Sequence, residues 1–130
     1  MEFVDKKEMA VYLKHNGYNC AQAVMMVYKD KLGLTEELIK QLGSGFGSGM
    51  GGTRATCGAL VGANMVLGVL NKTEKPTKMI SKDMVSEFIE KSGALECHVL
   101  KGVETRKVLC SCEDCIRNAI DILDSKLNNM

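Results

Sequence analysis

Between Gly43 and Gly52 the chain places six glycines in ten residues, and the run leads through Thr53 and Arg54 to Cys57 and an apolar segment ending at Leu70. Glycine loses more backbone freedom on folding than any other residue, so a cluster this dense requires a local cause. Left-handed dihedrals are one cause, and close approach of the main chain to another group is the other. A thiol stands straight after the loop, at the mouth of a helix. The rest of the chain then serves as a scaffold that brings other cysteines to Cys57.

At 130 residues the chain is expected to form one domain, residues 1–130, able to bury about two-thirds of its unfolded surface. A net charge of +1 leaves no electrostatic footprint for nucleic acid or an anionic membrane, so neither is expected as a partner. Nine methionines, one proline and no tryptophan suit a helical core with adaptable packing. The first eight residues mix both charge signs and no apolar run follows them, which is not the pattern of a signal peptide. The longest apolar stretch, Cys57 to Leu70, contains Asn64 and is too short to span a bilayer. The expected location is cytoplasmic. In that reducing compartment six cysteines read as ligands or redox groups before they read as disulfide staples.

Apolar spacing predicts helices throughout. The first covers Val4 to about His15, with Met9, Tyr12 and Leu13 on its inner side. Asn19 caps a second, Cys20 to Leu32, which Gly33 closes, and Thr35 with Glu36 and Glu37 opens a third that ends near Leu42. The fourth starts between Thr53 and Cys57 and ends near Asn71. Its Gly58, Ala59, Gly62 and Ala63 make a smooth side for another helix, in this chain or in a second copy; interior glycines cost about 1 kcal/mol each against alanine, which close packing must offset. The fifth runs from about Pro76 to Lys91 and buries Ile80, Met84, Val85, Phe88 and Ile89. Leu95 to Lys101 is a short helical turn, and Gly102 to Leu109 has no clear preference. A capping box of Ser111 and Asp114 starts the last helix, Cys112 to Leu127. No segment alternates at period two. The expected fold is all-α: a compact single-domain bundle of about six helices around the central Gly/Ala-rich one.

Cys20, Cys57 and Cys112 fall in the first turn of an expected helix, where free N–H groups and the dipole favour thiolate over thiol. Cys110, Cys112 and Cys115 form a C-x-C-x-x-C array able to share an ion, with a fourth ligand from Cys97, Cys57 or Cys20. Cys112 and Cys115 also make a C-x-x-C pair, but without the βαβ context of a thioredoxin-type site, and with Glu113 and Asp114 opposing ionisation. His98 is a weaker candidate nitrogen ligand beside Cys97. Gly47, Gly49 and Gly52 match G-x-G-x-x-G, but the loop follows a helix rather than a strand, so a dinucleotide fingerprint is not supported. A narrower expectation is that backbone N–H groups of Gly47, Gly49, Gly51 and Gly52, with Arg54, hold an anion or approach a cofactor at the helix start.

These residues resemble the C_GCAxxG_C_C family, a group described as redox-active. The matching pieces are Gly17 to Val24 around Cys20, Gly45-Phe46-Gly47, Cys57-Gly58-Ala59-Leu60-Val61-Gly62, Cys97 to Gly102, and Cys115. The resemblance implies a small redox or metal-cluster protein that works beside oxidoreductases or transporters, with Cys20, Cys57, Cys97 and Cys115 as its reactive or ligating residues. Likeness to the iron–sulfur portion of split-Soret cytochromes implies a cluster. Cys110 and Cys112 are additions to the pattern. The expected function is electron transfer or accessory redox chemistry, through an iron–sulfur cluster or other thiolate-bound metal, or through a reversible dithiol, with a redox partner protein. Whether the chain is itself an enzyme is left open. The competing expectation is a helical interaction protein with a structural zinc site.

Overall fold

Side-chain caps set where half of these helices begin. In the computed structural model, which describes residues 5–130, the Asp5 carboxylate accepts from the N–H of Lys7, Thr35 from Leu38 and Ser111 from Asp114. Asn19 and Gln22 form a reciprocal capping box, each side chain accepting from the other's backbone N–H. The described residues form eight helices and no β-strand: α1 (Lys6–Lys14), α2 (Cys20–Met26), α3 (Lys29–Leu32), α4 (Glu36–Gly43), α5 (Gly58–Leu70), α6 (Thr77–Ser92), α7 (Cys97–Lys101) and α8 (Cys112–Asn128). Between α4 and α5 the segment Gly47–Met50 makes a single turn that is left-handed at Ser48, Gly49 and Met50. No described helix is long and apolar enough to cross a membrane.

The fold is all-α, as the spacing predicts, and α5 lies at its centre. One side of α5 packs against α2, another against α8 and α6, while α8 also carries α1. Tyr28, Leu60, Leu67, Met84, Phe88, Ile116, Ile120 and Leu123 are fully buried between them. At an edge of this core the Tyr28 hydroxyl donates to Asp124 over 2.6 Å; Lys6 pairs with the same carboxylate at 2.9 Å and lies over the Tyr28 ring. That network ties α1 and α8 to the turn that follows α2.

Several elements differ from the sequence expectation. The second helix stops at Met26 and resumes at Lys29, because the chain turns at Val27–Tyr28 and delivers Tyr28 to Asp124. In α1 the fully buried residue is Ala10; Met9 and Tyr12 are exposed and Leu13 is half-buried, so the inner face is rotated from the expected one. Val4, the expected start of that helix, lies outside the described residues. In α6 Ile80, Met84 and Phe88 are buried, but Ile89 is exposed and Val85 only partly covered. Ser111 caps α8 without the reciprocal half of the box, since the Asp114 carboxylate is taken by Arg117 at 2.9 Å.

The glycines of α5 divide into two kinds. A Cβ on Gly62 would sit 2.6 Å from the backbone oxygen of Ala21 and 3.1 Å from its Cα, so the smooth side is covered by α2 of the same chain. Gly68 faces open space, and no packing there offsets its conformational cost, contrary to the expectation for all three interior glycines. Gly62→Ala should therefore destabilise the protein by about 1–3 kcal/mol through forced separation of α2 and α5. Gly68→Ala should stabilise it by about 0.5–1 kcal/mol, the ordinary helix-propensity gain. Urea denaturation of the two variants checks both signs.

Candidate thiol centre

Four of the six cysteines stand at helix starts. Cys20, Cys97 and Cys112 are the first residues of α2, α7 and α8, and Cys57 is the N-cap residue of α5. Cys115 lies one turn into α8, and Cys110 precedes that helix. Helix starts are where the dipole best tolerates negative charge, and at α2 and α5 backbone N–H groups also reach the sulfurs of Cys20 and Cys57.

Backbone hydrogen bonds bring these starts together. The segment before α5 runs antiparallel to the segment before α7: Cys57 N–H donates to Leu95 at 2.9 Å, Cys97 N–H to Ala55 at 2.9 Å and His98 N–H to Thr53 at 2.6 Å. After α7 the chain reverses at Gly102, whose left-handed φ is +70°, and returns so that the N–H groups of Leu109 and Cys110 both donate to Leu100. Cys110 is thereby laid beside α7 just before α8 starts. Its sulfur accepts weakly from Asn118, and its carbonyl oxygen lies 3.8 Å from the Cys115 sulfur.

The glycine loop completes the enclosure by close approach. A Cβ on Gly58 would lie 2.4 Å from the Cys20 sulfur, one on Gly49 2.6 Å from Cβ of Cys97, and one on Gly47 2.5 Å from Cβ of Asn19. With no Cβ at these positions the loop backbone lies against the cysteine-bearing helix starts, and the N–H of Ser48 reaches the Cys20 sulfur. The result is one cavity of about 60 Å³, room for several water-sized groups, lined by all six cysteines together with Lys14, Lys101 and Ser48. Five of the cysteines are buried; Cys112 is half-exposed.

The thiols do not share one electrostatic environment. The Cys57 thiolate accepts a hydrogen bond from Cys115, and with the N–H groups of Ala59 and Leu60 and the Lys101 ammonium this holds its pKa down at about 7, against the opposing effect of burial. The same bond, with desolvation and the neighbouring Cys110, pushes Cys115 strongly up. Burial raises Cys20 and Cys97, opposed in part by the Ser48 N–H for the first and by Lys101 for the second. Two thiolates side by side in a buried site repel, so Cys57 ionises first and Cys115 keeps its proton.

Cys20, Cys57, Cys97, Cys110, Cys112 and Cys115 thus all line one cavity. Among the described residues, however, no three His, Cys, Asp or Glu side chains are grouped to hold a metal ion, so the sulfurs surround a space rather than meet at a point. His98 lies near Glu104, 3.7 Å away, and is not among the cavity-lining residues. Of the expected anion-binding set, Gly47 and Gly49 touch the site through Asn19 and Cys97; Gly51, Gly52 and Arg54 are exposed and do not line it. The cations on the cavity wall are Lys14 and Lys101, which the sequence reading missed. Lys101 follows Cys97 by four residues on one short helix, and that spacing was the available signal.

The family model described as "Putative redox-active protein (C_GCAxxG_C_C)" matches residues 18–126. No curated protein and no solved structure matches the chain. The match spans the cavity-lining cysteines, the glycine loop and the α2–α5 contact, and the chain belongs to the C_GCAxxG_C_C family.

Proposed function

We propose that this protein is an electron-transfer or redox-accessory protein whose centre is an iron–sulfur cluster held by Cys20, Cys57, Cys97 and Cys115. The observation that carries the reading is the convergence of six thiols from four separate stretches of the chain on one cavity, most of them screened from water. Soft thiolate donors suit iron–sulfur clusters and zinc alike. Sulfurs arranged around a space, with no three grouped for a single ion, favour the wider group over the structural zinc of an interaction protein. Buried thiols are also poor nucleophiles toward bulky substrates, whereas burial does not stop them serving as ligands.

Such a cluster, when bound, supplies a centre for electron exchange. The chain's own contribution is to set the environment. N–H groups of Ser48 at Cys20, and of Ala59 and Leu60 at Cys57, offset negative charge on the sulfurs and so raise the potential. The glycine loop excludes water by lying directly against the helix starts. A redox partner protein is the expected electron donor or acceptor.

Anaerobically purified protein should show broad visible absorption and contain iron and acid-labile sulfide, and Cys57→Ser should lose both. A colourless protein with stoichiometric zinc would instead support the structural-zinc reading.

A second reading is favoured by the bond between Cys57 and Cys115: the two cycle between dithiol and disulfide, giving up two electrons and two protons to an external disulfide that is reduced to two thiols. In metal-free reduced protein the first thiolate should then appear with a midpoint near pH 7, because Cys57 is protonated below its depressed pKa and charged above it. Cys115→Ala removes the main cause of the depression and should move that midpoint toward the ordinary thiol value. Ultraviolet thiolate absorbance reads both, and peptide mapping after mild oxidation should find a Cys57–Cys115 link.

A further inference from the structure

Of the 17 lysines and arginines in the chain, Lys14 and Lys101 line the thiol cavity, and Lys101 is the one whose charge acts on the sulfurs from within. It ends α7, one turn after Cys97, so its half-buried side chain leaves the helix on the side of that thiol. Its ammonium shares the cavity wall with Cys112, Cys97 and Cys20, whose sulfurs it acts on, and it stabilises the thiolate of Cys57. The neighbouring His98 is paired outward with Glu104, and among the described residues no carboxylate lines the cavity to take up the lysine's charge.

We propose that Lys101 is the positioning residue that sets the charge balance, and hence the reduction potential, of the thiol centre. Reduction makes the centre more negative in either chemistry, by adding an electron to a cluster or by turning a disulfide into thiolates. A fixed cation in a partly desolvated site stabilises the more negative state, so Lys101 holds the potential up. The sign is the same whichever chemistry operates. Because Lys101 is partly withdrawn from solvent, its effect is screened by salt less than that of a surface lysine.

As a potential, the inference rests on the redox reading above, and the test separates the two. Midpoint potentials would be measured by anaerobic redox titration for wild type, Lys101→Met, Lys101→Arg and the exposed-site control Lys82→Met. Lys101→Met should have a lower potential at both low and high ionic strength, Lys101→Arg should stay near wild type, and Lys82→Met should not move. Lys101→Gln substitutes for Lys101→Met if the latter folds poorly by circular dichroism. An unchanged potential without the charge, or an equal fall in Lys101→Arg, overturns the inference. A wild type with no redox couple overturns the functional reading instead. Lys101 is then judged on thiolate absorbance of the reduced, metal-free protein: the titration moves to higher pH without the lysine, and no movement overturns the inference.

Discussion

The contact between α2 and α5 is the constraint on which the rest of this molecule depends. Two helices meet there at backbone distance, with Gly62 against the main chain of Ala21 and Gly58 against the Cys20 sulfur. No side chain larger than hydrogen fits at either glycine without displacement. The closeness has a chemical result, because Cys20 opens α2 and Cys57 caps α5, so docking the helices also docks two thiols. Packing and site assembly are one event here. The spacing Cys-Gly-Ala-x-x-Gly follows from it, since glycines four apart share one side of a helix.

Around that contact the site is built from helix beginnings rather than helix faces. A face would present side chains among other side chains, whereas the beginnings of α2 and α5 present a thiol together with N–H groups that reach it. Arranging several starts around one cavity concentrates partial positive charge without bringing in many lysines, and Lys101 and Lys14 suffice as full charges. The uneven thiols follow from position. Cys57 faces N–H groups and a donor thiol, while Cys115, a turn deeper in α8, faces Cys57 and the carbonyl of Cys110.

Much of this was legible in the sequence because the relevant forces are local. Asn19, Thr35 and Ser111 announce helix starts through the chemistry of their own side chains, and Gly33 and Gly93 announce ends. The cysteine positions relative to those caps could therefore be read directly. What could not be read depends on residues far apart in sequence. The break after Met26 reflects the bond from Tyr28 to Asp124, 96 positions away. The left-handed Ser48, Met50 and Thr53 are not glycines, and nothing in their chemistry signals φ values of +51°, +62° and +60°. Lys101 looks like any surface lysine until the return of the chain through Gly102 places Cys112 beside it. Arg54, next to the glycines in sequence, was the more visible cation and is the exposed one.

The antiparallel pairing of the segments before α5 and α7 divides the chain into parts with unequal freedom to change length. Everything from Gly58 to Ala94 leaves the paired segments and returns to them, so this helical hairpin is anchored at its base. Whole turns added at its far end, near Asn71 to Pro76, would leave Cys57 and Cys97 where they are. One residue inserted between Ala55 and Cys57 would shift the pairing register and point the thiol to the opposite side. Tolerance of insertions should therefore rise along the hairpin with distance from the sulfurs.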